Sequence, residues 1–150
     1  MTARRATLLG GLVVGTLDLA DALIFFGFRG VRPTRILQGI ASGLLGRNAF
    51  AGGLETATLG LALHFFIATV IVGVFVLASR RLRWLVKAPL WTGVLYGVGV
   101  WLVMNLVVLP LSAAGPPAFR TVVVINGLLI HMLAVGLPSA LFARAVKIGE

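Results

Sequence analysis

The chain has 150 residues, of which 59% are apolar before its 19 glycines are counted and only 11% are charged. A soluble domain carries about 25% charged residues, so this sequence cannot cover a water-facing surface. It reads as an all-α membrane protein, with room for about four crossings at roughly 20 apolar residues each. Its 13 Lys and Arg against 4 Asp and Glu give +9, a charge that belongs with membrane topology and anionic lipid headgroups rather than with nucleic acid. Without cysteine there are no disulfides, thiolate catalysis or Cys-ligated metals.

The first predicted span covers about residues 6–28. Arg4, Arg5, the apolar run and Ala20-Asp21-Ala22 imitate a signal peptide. Asp18 interrupts that run, however, and apolar character continues through Phe28, so the span is expected to be retained. Gly11 and Gly15 form a GxxxG face suited to close helix packing. Asp18 falls near the middle of the span and Asp21 one turn further toward the outside. A central carboxylate costs about +2.5 to +3.5 kcal/mol on an insertion scale, whereas each Leu, Ile, Val or Phe returns about −0.3 to −0.6. The face carrying both acids must therefore look at other helices, water or a partner rather than lipid.

Between the first and second spans, residues 34–46 predict a short helix. Pro33 and Thr34 resemble its start, Ile36, Leu37, Ile40, Leu44 and Leu45 share a face, and Gly46 is its stop. It is too short to cross and is expected in the outer interface, with Arg35 and Arg47 reaching headgroups. A re-entrant segment is the alternative, permitted by Gly39, Ala41, Ser42 and Gly43.

The remaining spans are predicted at about 54–78, 88–111 and 121–143, which completes a four-helix bundle in a single domain, 1–150. Arg80, Arg81, Arg83 and Lys87 separate the second span from the third, and AAGPPAF over 113–119 joins the third to the fourth. Four crossings put Arg4, Arg5, Arg80, Arg81, Arg83, Lys87, Arg144 and Lys147 on one side, eight cations against the five of Arg29, Arg32, Arg35, Arg47 and Arg120. The positive-inside rule then places both termini in the cytoplasm. Trp84 and Trp91 fit the inner interface as anchors, Trp101 fits packing or lipid contact, and Gly93 and Gly97 repeat the GxxxG spacing.

Partners for the two acids occur at matching depth. His64 lies mid-span in the second helix and His131 in the fourth, with Asn105 and Asn126 a turn outward of centre and Glu55 at the outer end of the second. Asp18, Asp21, His64, Asn105, Asn126 and His131 thus define one expected polar layer in the outer half of the bundle. Such a layer can bind or pass a proton, cation or small polar solute, with Asp18 exchanging the proton and His64 or His131 relaying it. Alternatively, it only fastens helices, each interhelical hydrogen bond contributing around 0.6 kcal/mol, within a non-catalytic accessory subunit of a larger membrane complex. A third reading makes His64 and His131 axial ligands of haem, or of one pigment each, with Gly60 and Gly127 four residues upstream leaving gaps for a macrocycle. No cofactor or metal is expected on the first two readings.

Enzyme signatures are missing: the sequence contains no HExxH, no GxSxG elbow, no P-loop and no phosphate-binding GxGxxG. The expectation leans away from an enzyme, and Ser42 in GIASG is not a credible nucleophile. Four short helices do not easily enclose a conduit alone, so a homo-oligomer or a place in a larger assembly is expected.

The stretches GTLDLADALIFF, RILQGIASGLLGRNAFAGGLETATLGLALHFFIA and GVLYGVGVWLVMNLVVLPLSA resemble those of a group of small bacterial four-helix inner-membrane proteins of no assigned activity. More distantly, residues 52–143 resemble the YagU-like inner-membrane family in the order of a span with His, a Gly-rich span ending near Pro, and a last span with His. The longer polar loops of that family are lacking here. The matching positions are Asp18, His64, Asn105, Pro110 and His131. The resemblance implies an inner-membrane location and a link to stress or acid tolerance, and it carries over no catalytic residues.

Overall fold

A computed structural model describes residues 1–146; Lys147 and Glu150, counted above among the charges, lie outside the described residues. Helix α1 spans Ala3–Gly27, α2 Pro33–Leu45, α3 Gly53–Arg81, α4 Pro89–Leu111 and α5 Thr121–Arg144. All but α2 are long and apolar enough to cross a membrane, and no strand occurs among the described residues. The architecture is a bundle of four long helices with a short fifth between the first and second.

Helix ends overrun the hydropathy boundaries for local reasons. Thr2 caps α1 by accepting from the Arg5 amide at 3.3 Å, so the helix includes Arg4 and Arg5. At the other end of the second span, α3 runs on through Arg80 and Arg81, where cations complement the negative end of the helix dipole. The short α2 opens on Pro33, whose fixed φ suits a first helical turn, and stops before Gly46 at φ 57°, a backbone state that side chains disfavour. Met1 nitrogen lies 3.3 Å from the Ala145 carbonyl, which brings the start of α1 and the end of α5 to the same end of the bundle.

Small residues set the helix spacing. An added Cβ on Gly11 would stand 2.7 Å from the Thr69 Cα, and one on Gly15 2.6 Å from the Phe65 ring, so this pair packs α1 against α3. Gly93 and Gly97 face α5 in the same way: a Cβ on Gly93 would fall 2.8 Å from the Leu137 Cα, and one on Gly97 would strike the His131 carbonyl. Gly136 returns the contact from α5 against the Gly93 carbonyl. Both GxxxG pairs are used within the chain. The interhelical core is filled by Val14, Val72, Phe75, Val76, Val135 and Ala140, while Leu12, Ile24, Phe66, Leu77, Leu95 and Leu133 stay exposed on the outside, as suits a hydrocarbon-facing surface.

Two of the long helices contain a wide turn. The Leu109 amide bonds back to the Met104 carbonyl and the Leu137 amide to the Met132 carbonyl, each five residues away, over π-helical stretches Met104–Val108 and His131–Gly136. Pro110 and Pro138 follow directly. A proline supplies no N–H and its ring crowds the carbonyl four residues back, and a widened turn accommodates both effects. The turn in α5 begins at His131 itself.

Candidate functional site

The two acids on α1 have different environments. Asp21, a turn nearer the α1–α2 connection, accepts a hydrogen bond of 2.8 Å from Asn126 Nδ2 on α5. Asp18 accepts none from the described residues; His131 Nδ1 lies 3.9 Å from its Oδ1. With a quarter of its side-chain surface open (25%, against 19% for His131), Asp18 faces a cavity of about 350 Å³ between the helices.

Three elements bring ionisable groups to that cavity: Asp18 from α1, His64 from α3 and His131 from α5. Each histidine is held by a main-chain carbonyl. His64 Nε2 lies 2.8 Å from the Gly15 oxygen and His131 Nδ1 2.9 Å from the Gly127 oxygen. A carbonyl only accepts, so those ring nitrogens carry a proton, and in a neutral ring the other nitrogen carries a lone pair. The His64 bond joins α3 to α1, whereas the His131 bond stays within α5 and uses the carbonyl just upstream of the wide turn.

Helix α2 covers this chamber. Its Ile36, Gly39, Ile40 and Gly43 line the cavity, and its Leu37 carbonyl sits against Gly60, where an added Cβ would collide. Gln38, nearly buried, donates to the Gly53 carbonyl at 3.0 Å, and Ala113 in the α4–α5 connection donates its amide to the Gly43 carbonyl at 3.0 Å. The single apolar face expected for this helix is covered over only part of its length: Ile36, Leu37 and Ile40 are half-buried, while Leu44 and Leu45 at its end are exposed. Arg35 and Arg47 are also exposed, and the Arg35 guanidinium stacks 4.1 Å above the Phe50 ring.

The expected layer of six is narrower in the structure. Asp18, His64 and His131 share the cavity, and Asp21 and Asn126 pair with each other. Asn105 turns back to donate to the Trp101 carbonyl of its own helix at 2.9 Å and does not line the cavity. Glu55 is exposed in the first turn of α3. Trp101 is a packing residue, 9% exposed, unlike Trp84 and Trp91 at 58% and 75%.

The residues do not fit a macrocycle on the two histidines. Its proposed gaps are filled by protein: Gly60 lies under the Leu37 backbone, and Gly127 under the Trp101 indole, whose Nε1 would stand 2.6 Å from an added Cβ. The Nε2 of His64 is engaged by the Gly15 carbonyl. Among the described residues no group of three or more His, Asp and Glu is placed to hold a metal ion.

Sequence reasoning missed the cavity-facing side of α2, buried Gln38, Gly136 and the two wide turns. Pro110 and Pro138 within apolar spans were the available signal for the turns. A scan against protein-family models finds no match, and searches of curated proteins and of solved structures find no significant relative.

Proposed function

We propose that the chain is an inner-membrane protein that binds and exchanges a proton at Asp18, and with it passes a cation or small polar solute through the chamber under α2. The observation that carries this reading is the contrast on one face of α1: Asp21 is hydrogen-bonded to Asn126, while Asp18 meets the cavity with no donor upon it. A carboxyl fastening helices would be expected to be satisfied as Asp21 is, whereas one that must gain and lose a proton needs an open side. Asp21, His64 and His131 are the ionisable neighbours that bear on its charge. His131 can take a proton on Nε2 while its Nδ1–H stays on the Gly127 carbonyl, and the imidazolium so formed would face the Asp18 carboxylate.

Orientation follows the cations. Arg4, Arg5, Arg80, Arg81, Arg83, Lys87 and Arg144 belong to the end where the start of α1 meets the end of α5, and that end is assigned to the cytoplasm. The test is proton uptake into proteoliposomes driven by an imposed potential. Asp18→Asn should lose uptake while eluting like the parent protein, and a parent that takes up no protons above empty vesicles would refute the reading.

A further inference from the structure

The polar wall of the cavity has a defined sign. His64 commits its Nε2 proton to Gly15 and His131 its Nδ1 proton to Gly127, so each neutral imidazole has only a lone pair left to offer. Ser112, also on the wall, donates its hydroxyl to the Leu109 carbonyl at 2.8 Å. Asp18 as a carboxylate only accepts, and among the described residues no Lys or Arg lines the chamber. With the Asp18 carboxylate ionised and both imidazoles neutral, the wall presents several acceptors, one negative charge and no uncommitted donor. The rest is hydrocarbon, from residues such as Phe26, Ile36, Ile40, Ile67, Met104 and Val108.

We infer that the chamber binds an organic ammonium ion, a protonated primary or secondary amine carried on an apolar body. The inference rests on Asp18 being the working group of the site and adds the class of ligand. The ammonium supplies the charge and the N–H donors that the wall lacks, and the body replaces water against the aliphatic lining. A volume of about 350 Å³ lies within the range of about 300–1,000 Å³ typical of small-molecule sites. An anion would meet a carboxylate with no donor to offset it. A bare metal cation would find one carboxylate where a hard ion takes about six oxygens. Nothing stands within 4 Å of a Cβ added at Gly39 or Gly43, so the covering helix leaves its share of the chamber open.

The test uses three probes with one aromatic body, naphthylmethylamine, naphthylmethanol and naphthylacetate. Each is titrated onto the full chain in zwitterionic lipid nanodiscs, with empty nanodiscs subtracted. The amine should bind saturably, one per chain, and tighter than the alcohol or the acid by about tenfold or more, the effect of one charge-assisted contact in a partly dried site. Asp18→Asn should remove most of that preference. Gly39→Phe, which adds a ring at a cavity-lining position with open space around it, should abolish binding of the amine in a protein that elutes normally. Equal binding of all three probes, tightest binding of the acid, or amine binding indifferent to both variants would overturn the inference. Asp18-dependent proton uptake without amine binding would overturn the ligand class and leave the proton reading intact. Amine binding that depends on Asp18 in a protein without proton uptake would do the reverse.

Discussion

Asp18 Oδ1 stops 3.9 Å from His131 Nδ1, beyond hydrogen-bond reach, while that same nitrogen lies 2.9 Å from the Gly127 carbonyl. The histidine is anchored by its own helix and the carboxylate is left facing the chamber. One turn along α1, Asp21 is closed off by Asn126 at 2.8 Å. Two acids of identical chemistry thus separate into one hydrogen-bonded to another helix and one that faces the cavity.

The fastening role has a measurable consequence. Asn126→Ala should lower thermal stability in detergent by about 0.6 to 1.7 kcal/mol, the range for interhelical hydrogen bonds within membranes, and leave proton uptake per folded protein unchanged. Loss of uptake at full stability would assign Asn126 to the conduction path instead.

Glycines on facing helices should respond oppositely. At Gly60 an added methyl meets the Leu37 carbonyl, and at Gly39 it meets nothing within 4 Å. Gly60→Ala should push α2 off the bundle, making residues 33–45 more accessible to proteolysis. Gly39→Ala should be neutral or stabilising by up to about 1 kcal/mol through helix propensity. Limited proteolysis distinguishes them, and equal protection in both variants would contradict the packing of α2 on α3.

The α4–α5 contact is also a close backbone approach. A side chain at Gly97 collides with the His131 carbonyl and the Met132 main chain, so Gly97→Val must separate the helices through the wide turn that carries His131. A loss of about 1–3 kcal/mol is expected from overpacking, read as a reduced yield of monodisperse protein. Normal yield and melting would show that these helices pack differently.

Absence of a macrocycle is also checkable. With Gly60 covered by Leu37 and Gly127 by Trp101, protein purified from cells supplied with haem should show no Soret band. A stoichiometric Soret band that vanishes in His64→Ala would contradict this packing.

Much of the fold was legible because hydropathy alone decides it. The four spans follow from apolar runs bounded by Arg and Pro, and the short helix from Pro33 and Gly46. The depth of Asp18, Asp21, His64 and His131 could be counted along straight helices. What could not be counted was azimuth. His64 and Asn105 were both expected in the polar layer of the outer half, yet one reaches Gly15 on another helix and the other bonds back to Trp101 on its own. Nor does spacing reveal what fills a gap: Gly60 and Gly127 left openings on a single helix, and only tertiary packing set Leu37 and Trp101 into them. The exposure of Leu44 likewise depends on tertiary packing, since it shares a helical face with Leu37 and only the seat of α2 on α3 decides how far along the helix that face is covered.

The most direct measurement sets Asp18→Asn beside Asp21→Asn. Both substitutions are isosteric, and an asparagine at position 21 can still accept from Asn126. Proton uptake driven by an imposed potential into proteoliposomes matched for folded protein should fall to the level of empty vesicles for Asp18→Asn and stay near parental for Asp21→Asn. Equal uptake by parent and Asp18→Asn, or a loss confined to Asp21→Asn, would contradict the assignment of Asp18 as the working carboxylate.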